Sequence, residues 1–334
     1  ASVSMAELAT ENHALYFRKV LKGPAPLGHL DPNRLTLAYF CTAGLELLGV
    51  LTPEEKARCV EWVYGLQLPA SESGENRPGG FRGGPFFGGP FDSESVPVPD
   101  GPHQHDLGHI AMTYTALALL DMCGDDLRRL HRKPILALVK ALQQPDGSYR
   151  CHVGACESDM RFLFCAAAVC YMLDDWSALD VDGAVAFILR CKNADHGIGM
   201  NPAQESHGGS TYCAVAALSL MGKLDALGDV SGLVRWLVAR QVPDSGFQGR
   251  PEKPPDTCYS FWVQATLHIL GKGDYVGGAP SIKFAVSCQS YGFGKTPTDK
   301  PDPLHSYLGL AGCALSGAPG LSPLDPHLGF PRKK

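Results

Sequence analysis

The chain has 334 residues, of which 45% are hydrophobic and 19% are charged, and its formal net charge is -5. This composition supports a large folded core and excludes a mostly disordered chain. The acidic balance argues against a nucleic-acid-binding protein, which usually presents a basic face. No run of 18 apolar residues occurs, so we expect no membrane-spanning helix.

The cysteines and the first residues of the chain predict the compartment in which the protein works. Twelve cysteines lie mostly inside apolar stretches and not in regularly spaced pairs, which is typical of reduced thiols in a cytoplasmic protein. The first residues are amphipathic and lack the apolar segment of a secretory signal. We expect one domain over 1–330, followed by a disordered tail at 331–334.

Two kinds of helical segment alternate along the chain. Six stretches are apolar nearly all round and open with a polar residue, which predicts buried helices, while six amphipathic stretches suit an outer layer. In chain order the amphipathic segments are 6–21, 53–67, 127–143, 181–191, 230–241 and 281–289, and the apolar segments are 33–49, 105–120, 157–173, 205–221, 256–270 and 303–316.

The connections repeat a glycine that is followed closely by an aromatic or apolar residue. Its last four members, Tyr149, Ile198, Phe247 and Phe293, follow one another at intervals of 49, 49 and 46 residues. That period fits one helical hairpin, so we predict an all-α fold of six hairpins. A closed α-α barrel, whose inner helices line a funnel-shaped cavity, satisfies both patterns, and an open solenoid is the alternative. The Gly/Pro-rich residues 71–102 are expected to form a loop insertion.

Asp256, Cys258 and His305 are candidate metal ligands. They lie at the starts of the last two apolar segments, which would meet at one mouth of a ring. Asp, Cys and His can hold zinc with a fourth position open, as catalytic zinc sites do. The residues alone leave a second interpretation, in which Asp256 caps a helix, Cys258 is a core thiol and His305 is an ordinary polar residue.

A histidine-rich stretch offers a competing metal site. His103, His105 and His109 are close in sequence. They join a loop to a helix start, and they lie far along the chain from Cys258. We therefore favour a solvated loop with one histidine facing the cavity.

A second candidate site is cationic. His207, Arg250 and Lys253 precede or open the fourth and fifth apolar segments, and Tyr259 follows Cys258. Several donors near helix N-termini suit a multiply charged anion such as a diphosphate. Ordinary surface charge is the alternative, particularly for Lys253. Candidate cavity-lining residues below this site are Thr36, Phe162, Phe164, Tyr212, Cys213 and Trp262.

Three motifs resemble those of protein prenyltransferase β subunits. They are Gly-Arg-Pro-Glu-Lys-Pro-Pro-Asp-Thr-Cys-Tyr-Ser-Phe-Trp at 249–262, Glu-Ser-His-Gly-Gly-Ser-Thr-Tyr-Cys at 205–213 and Pro-Asp-Pro-Leu-His-Ser-Tyr at 301–307. The resemblance covers nearly the whole chain. It implies an α-α barrel, a heterodimer with a helical-repeat α subunit, and zinc-dependent transfer of an isoprenoid to the cysteine of a C-terminal C-a-a-X sequence.

The resemblance also implies a role for individual residues. The zinc ligands would be Asp256, Cys258 and His305, with Tyr259 and Lys295 as further catalytic residues. The remaining implied roles are diphosphate binding by His207, Arg250, Lys253 and Tyr259, lipid binding by Thr36, Arg161, Phe164, Cys213 and Trp262, and peptide binding by His109, Ala111, Phe162 and Leu304.

Two positions favour one branch of this family. Thr36 falls where farnesyltransferases carry a bulky tryptophan, and Lys295 falls where farnesyltransferases and the Rab enzyme carry an aspartate associated with magnesium. The resemblance therefore implies type I geranylgeranyl transfer from geranylgeranyl diphosphate, without magnesium, to substrates such as Rho-type GTPases whose C-a-a-X sequence ends in Leu or Phe. The β subunits of farnesyltransferase or Rab geranylgeranyltransferase are alternatives, and a non-catalytic ring scaffold is a different class.

Overall fold

The computed structural model describes residues 8–22, 32–68, 78–85 and 107–332, and these residues form an all-α structure. Twelve α-helices lie in these ranges, which contain isolated β-bridges but no named strand. The helices are α1 Thr10–Leu21, α2 Arg34–Leu47, α3 Pro53–Tyr64, α4 Ile110–Cys123, α5 Arg132–Leu142, α6 Met160–Leu173, α7 Val181–Arg190, α8 Gly208–Leu220, α9 Ser231–Val238, α10 Tyr259–Ile269, α11 Gly278–Ser287 and α12 Pro303–Leu315.

The even-numbered helices form a closed inner ring. Each packs against the next in chain order, and α12 returns to pack against α2. Among the odd-numbered helices, α3 packs on α4, α5 on α4 and α6, α9 on α10, and α11 on α12, outside this ring. The predicted barrel is therefore confirmed, and the open solenoid is wrong. None of the described helices is long and apolar enough to cross a bilayer.

Several helices begin a few residues later than predicted, after a capping residue. The predicted stretch opens at 105, but α4 begins at Ile110, with His109 as its N-cap. α10 begins at Tyr259, after Cys258. α5 also begins late, because Leu127 has a left-handed φ of 58° that ends any helical run there.

The predicted glycine turns are repeating structural units. The aromatic or apolar member of each turn is fully buried and forms an antiparallel bridge with a residue at the end of the preceding outer helix. The pairs are Gln67 with Phe81, Gln143 with Tyr149, Lys192 with Ile198, Gln241 with Phe247 and Gln289 with Phe293.

A backbone hydrogen bond ties the start of each of five inner helices to a turn of the following hairpin. These bonds pair N–H groups that a helix start would otherwise leave unpaired. They also place the starts of the inner helices and the turns at the same end of the barrel, which we call the mouth. The bonds run from Leu35 N to Gly83 O (2.8 Å), Ile110 N to Cys151 O (2.9 Å), Met160 N to Met200 O (3.1 Å), Gly208 N to Gly249 O (2.8 Å) and Thr257 N to Lys295 O (3.0 Å).

The predicted domain over 1–330 and the predicted disordered tail at 331–334 stay predictions. Among the described residues of the tail, Pro331 is buried and Arg332 Nε lies 3.1 Å from Asp121 Oδ2. Residues 333–334 lie outside the described residues. So does most of the expected insertion at 71–102, of which the structure describes only 78–85.

Candidate active site and metal centre

Asp256, Cys258 and His305 meet at the mouth of the barrel. Asp256 and Cys258 immediately precede α10, and His305 lies in the first turn of α12, the next inner helix of the ring. One ligand atom from each residue lies within 4.8 Å of those of the other two. The predicted convergence of these residues is confirmed.

The imidazole of His305 is held between two carboxylates. Its Nε2 lies 3.2 Å from Asp256 Oδ1, and its Nδ1 lies 2.6 Å from Asp302 Oδ2. The other oxygen of Asp302 accepts a hydrogen bond from His305 N at 3.0 Å, so this carboxylate both caps α12 and orients the ring. At metal sites, a ligating histidine usually donates its other ring N–H to a carboxylate, which fixes the orientation of the ring.

Asp256 is both a cap and a candidate ligand. Its Oδ1 accepts a hydrogen bond from Cys258 N at 3.0 Å, which is the local capping role considered as the alternative. The same side chain faces His305 and completes the ligand cluster. Burial opposes its charge, but hydrogen bonds with His305 and Cys258 lower the pKa of the Asp256 carboxyl below its ordinary value. The two interpretations are therefore compatible.

The protonation of the other two ligands depends on the same neighbours. Burial disfavours the imidazolium of His305, but Asp256 and Asp302 outweigh that effect and raise its pKa to about 9. Burial and the Asp256 carboxylate raise the pKa of the Cys258 thiol well above its ordinary value. One nitrogen, one sulfur and one carboxylate donor within this span fit a catalytic zinc site with an open position.

Beside the cluster, His207 and Tyr259 form a hydrogen-bonded pair. His207 Nδ1 accepts from Gly209 N at 3.0 Å, and His207 Nε2 lies 2.8 Å from Tyr259 Oη. Burial and the nearby Arg250 lower the pKa of His207, which favours the neutral ring. Because Nδ1 of the neutral ring accepts a hydrogen bond, the ring proton is on Nε2, which donates a hydrogen bond to Tyr259 Oη. The hydroxyl hydrogen of Tyr259 is then available to another acceptor.

Gly249 controls the position of Tyr259. A Cβ on Gly249 would lie 2.1 Å from Tyr259 Cζ, so no larger residue fits here without moving the ring. Its carbonyl also accepts the backbone bond from Gly208 at the start of α8. The sequence signal for this role is the glycine immediately before Arg250, which we did not single out.

The predicted cations lie around the same end of the barrel. Arg250 Nη1 contacts Glu205 Oε2 at 2.6 Å, and Lys295 Nζ lies 3.9 Å from Asp256 Oδ2. Lys253 is exposed on the turn after Arg250. Arg250 thus lies on the α8 side of α10, with the Tyr259–His207 pair, and Lys295 lies on the α12 side, beside Asp256.

The family pattern of the prenyltransferase alpha-alpha toroid domain matches residues 8–330. Geranylgeranyl transferase type-1 subunit beta of Arabidopsis thaliana is 42% identical, over 98% of this chain and 90% of that protein. The chain belongs to the prenyltransferase β-subunit family. The type-1 subunit beta of Dictyostelium discoideum is 37% identical, over 97% of this chain and 95% of that protein. The type-2 subunit beta of Saccharomyces cerevisiae is 33% identical, over 69% of this chain and 72% of that protein.

The fold comparison agrees with this family. The solved structure of Candida albicans protein geranylgeranyltransferase-I complexed with GGPP matches this prenyltransferase fold with a TM-score of 0.81 and 25% sequence identity. The match covers 97% of this chain and 96% of that chain.

Three of the five predicted lipid-binding residues of this family member surround Tyr212. The ring centroids of Phe164 and Trp262 lie 5.5 and 5.1 Å from that of Tyr212, and Cys213 is its neighbour on α8. Thr36 lies elsewhere, in the first turn of α2, where its Oγ1 donates to Met112 Sδ at 3.4 Å.

Arg161 differs from the other predicted lipid-binding residues because it is charged and paired. Its Nη2 lies 2.6 Å from Asp159 Oδ2 and 3.6 Å from Glu157 Oε1. Asp159 also caps α6 by accepting from Arg161 N at 2.8 Å, so the guanidinium is held at the mouth. Asp159 is a positioning residue that the sequence interpretation missed.

Two of the predicted peptide-binding residues contact each other. The rings of His109 and Phe162 lie 6.0 Å apart, and His109 caps α4 by accepting from Ala111 N at 3.2 Å. Burial and the nearby His152 lower the pKa of His109 to about 4, so this imidazole is neutral. Leu304 lies on α12, which α2 separates from α4 in the inner ring.

Proposed function

We propose that this chain is the catalytic β subunit of a protein geranylgeranyltransferase type I. It transfers the geranylgeranyl group from its diphosphate to the cysteine thiol of a C-terminal C-a-a-X sequence whose last residue is Leu or Phe. The observation that carries this proposal is the three-ligand cluster beside a cationic mouth, at the open end of an apolar barrel. The names of the Arabidopsis and Dictyostelium relatives support the type I assignment.

Asp256, Cys258 and His305 would hold one zinc ion. When bound, zinc would lower the pKa of a substrate thiol in its open position and so supply a thiolate at neutral pH. Asp302 keeps His305 Nε2 directed into the cluster through the 2.6 Å contact at Nδ1. The burial of Cys258 and Asp256 keeps competing water away from both ligands.

The reaction forms a carbon–sulfur bond at C1 of the lipid and breaks the bond between C1 and the diphosphate oxygen. Negative charge therefore grows on the departing diphosphate. Tyr259 can donate its hydroxyl hydrogen to that oxygen because His207 supplies the hydrogen bond that Tyr259 accepts. Arg250 and Lys253 add positive charge beside Tyr259, and preorganised donors of this kind stabilise developing charge effectively.

Lys295 explains the expected independence from magnesium. Its Nζ lies 3.9 Å from Asp256 Oδ2, so its positive charge lies beside the ligand cluster. A fixed ammonium can carry out the charge neutralisation that a magnesium ion would provide elsewhere in the family. We therefore propose that zinc is the metal this subunit requires.

Lipid length is assigned to Thr36 on α2, and peptide selection to residues at the starts of α4, α6 and α12. Thr36 leaves room that a large aromatic residue would fill, which favours the longer geranylgeranyl chain. His109, Ala111, Phe162 and Leu304 are proposed to receive the last side chain of the peptide. The neutral state of His109 suits an apolar residue there.

The subunit is proposed to work in the cytoplasm as a heterodimer with a prenyltransferase α subunit. All twelve cysteines are free, as expected of a reducing compartment. The chain carries the metal ligands and most of the diphosphate donors, while the α subunit would complete the site.

Co-expression with an α subunit tests this function. Transfer is measured with farnesyl and geranylgeranyl diphosphates against peptides that end in Leu, Phe, Ser and Met. We expect the highest kcat/KM for geranylgeranyl diphosphate with the Leu peptide, no activity without zinc, and no dependence on added magnesium. Preference for farnesyl diphosphate with Ser or Met peptides would contradict the type I assignment, and the absence of any transfer would contradict the enzymatic one.

A further inference from the structure

Six aromatic side chains, one from each inner helix, form a layer across the barrel. Where neighbouring rings of this layer are in contact, their centroids lie 5.0–5.9 Å apart. All six are buried, and Tyr212, Phe261 and Tyr307 have at most 1% of their surface exposed. We call this layer the aromatic floor, and it consists of Tyr39, Tyr114, Phe164, Tyr212, Phe261 and Tyr307.

A turn near the C-terminus, residues 325–330, contacts the aromatic floor. We call it the floor turn. An antiparallel bridge joins its ends, with Asp325 N donating to Phe330 O at 3.1 Å, and Gly329 N donates to Asp325 O at 2.9 Å. Leu328 and Phe330 are fully buried. The turn is therefore a self-contained unit that fills space among the inner helices.

Tyrosine hydroxyls of the aromatic floor hold the floor turn. Tyr114 Oη donates to Leu328 O at 2.5 Å, while Tyr39 Oη and Tyr307 Oη donate to Gly329 O at 2.9 and 2.6 Å. An unpaired carbonyl in an apolar interior is costly, so these donors make the buried position of the turn possible. The same bonds direct three hydroxyls toward the turn.

The interior differs on the two sides of the aromatic floor. Toward the mouth, inner-helix residues such as Thr36 and Phe162, which precede the floor residues of α2 and α6, are only partly buried, which indicates open space beside them. On the side of the floor turn, Leu328 has no exposed surface. The barrel is thus hollow above the aromatic floor and filled at the floor turn.

The floor turn is attached to the distant ends of several inner helices. Ser322 N, just before it, donates to Leu47 O of α2 at 2.7 Å. His327 Nδ1 contacts Ser219 Oγ of α8 at 2.9 Å, and Arg332 pairs with Asp121 of α4 at 3.1 Å. These attachments fix how far the turn reaches into the barrel.

We propose that the floor turn sets the length of the lipid that the cavity accepts, by fixing the height of the aromatic floor. This inference rests on the proposed prenyltransferase function. The end of an isoprenoid chain is purely apolar, and the aromatic floor presents carbon to it because its bonded hydroxyls point to the turn. The floor turn acts through the aromatic rings, so Leu328 and Gly329 are positioning residues for lipid selectivity.

Shortening Leu328 tests this proposal. Leu328→Ala removes buried volume beneath the rings, so the aromatic floor can move away from the mouth and a longer chain can enter. Binding of farnesyl, geranylgeranyl and geranylfarnesyl diphosphates is measured on the zinc-loaded heterodimer by titration calorimetry, alongside transfer to a Leu peptide. We expect the affinity ratio of geranylfarnesyl to geranylgeranyl diphosphate to rise about tenfold.

The matched control is Leu237→Ala, which removes an equal volume from α9 in the outer layer, where Leu237 is fully buried. Its lipid ratios should match those of the unmodified heterodimer. If Leu328→Ala does not give soluble heterodimer, Leu328→Val should change the ratio in the same direction by a smaller factor. Unchanged ratios in a folded Leu328 variant, or an equal change in Leu237→Ala, would overturn the proposal.

Gly329→Ala should change selectivity in the opposite direction. Gly329 has a φ of 76°, and a Cβ there would lie 3.1 Å from Tyr212 Oη and 3.2 Å from Phe261 Cζ. The added methyl group should push the rings toward the mouth and raise the ratio of farnesyl to geranylgeranyl diphosphate. A shift toward longer lipids would overturn the assigned role of the turn.

Two further outcomes separate this proposal from the proposed function. If the variants change lipid selectivity as expected but no lipid is transferred to peptide, the floor turn is supported and the proposed enzyme is refuted. If no lipid binds at all, both are refuted.

Discussion

The mouth and the floor of this barrel both bury polar groups, but they do so in different ways. At the floor, three tyrosine hydroxyls donate to two backbone carbonyls, and neither partner is charged. At the mouth, Asp256, His305 and Asp302 form a chain of contacts between ionisable groups. The floor is therefore chemically inert, and the mouth can exchange protons.

This difference shows what separates a structural polar cluster from a reactive one. The floor hydroxyls are buried, and burial is the main cause that raises the pKa of Tyr39 above its ordinary value. The mouth groups retain partial exposure and perturb one another, which is typical of functional sites. The predictions below test that contrast, from the largest expected effect to the smallest.

The largest effect concerns proton release on zinc binding. His305 has a pKa of about 9, and the pKa of the Cys258 thiol is raised well above its ordinary value. Both residues therefore carry protons at neutral pH and must lose them to bind a metal. Zinc affinity of the heterodimer should therefore rise with pH, by about 10⁴-fold between about pH 6 and 8 if two protons leave per ion. Competition with a chelator at fixed free zinc measures this slope. A pH-independent affinity would show that neither residue is a ligand.

Substitution of the thiol ligand should remove activity. For Cys258→Ala we expect the zinc content to fall to background and transfer to fall by more than about 100-fold, because even changes behind the ligands cost 10- to 100-fold. Elemental analysis and single-turnover transfer measure both, and calorimetry should show lipid binding largely retained. Stoichiometric zinc together with retained transfer would exclude Cys258 as a ligand.

A pair of tyrosine substitutions compares the two regions directly. Tyr259→Phe removes a donor to the departing diphosphate and should lower kcat by about 100-fold. Tyr307→Phe removes one donor to Gly329 O and should mainly lower the free energy of unfolding, by about 1 kcal/mol. Pre-steady-state transfer and thermal unfolding separate these outcomes. Equal rate losses in both variants would contradict the distinction between mouth and floor.

The carboxylate behind His305 should have a moderate effect. Asp302→Asn keeps the shape of the side chain but weakens the hold on His305 Nδ1, so zinc affinity should fall by about 10- to 100-fold. The chelator assay measures this change. Asp126→Asn is a suitable control, because Asp126 is exposed and pairs with Arg128 away from the mouth. Equal zinc affinities in the Asp302 and Asp126 variants would remove Asp302 from the metal site.

The smallest effect concerns Lys295. Lys295→Asp replaces a fixed positive charge with a carboxylate that can bind a cation, so we expect transfer to become stimulated severalfold by magnesium. A magnesium titration of the variant and of the unmodified heterodimer measures this response. An unchanged rate across the titration would count against the role given to Lys295.

Much of the fold could be predicted from the sequence because it repeats. Periodic apolarity identified all twelve helices, and the spacing of Tyr149, Ile198, Phe247 and Phe293 identified the hairpins. The metal cluster could be chosen with confidence only after the resemblance to a family, because nothing local to Cys258 indicates that His305 lies beside it. The packing of α10 against α12, the next inner helix in chain order, creates that contact.

Other features could not be predicted because they depend on distant parts of the chain. The floor turn has no periodic pattern, and its donors Tyr39 and Tyr307 lie far apart in sequence. The start of α4 differs from the predicted 105 because apolar character alone does not show which residue caps the helix, and here the N-cap is His109. Leu304 was grouped with His109 by resemblance, although their helices are not neighbours in the ring.

The backbone bond from Thr257 N to Lys295 O has a consequence for how this family can diversify. Together with Thr257 Oγ1, which also donates to Lys295 O at 3.0 Å, it attaches position 295 to the start of α10 without using the side chain of residue 295. The side chain at 295 can therefore be exchanged while its location beside Asp256 is kept. On the role proposed for Lys295, a change in the ion needed for catalysis would require one altered codon and no rebuilding of the barrel.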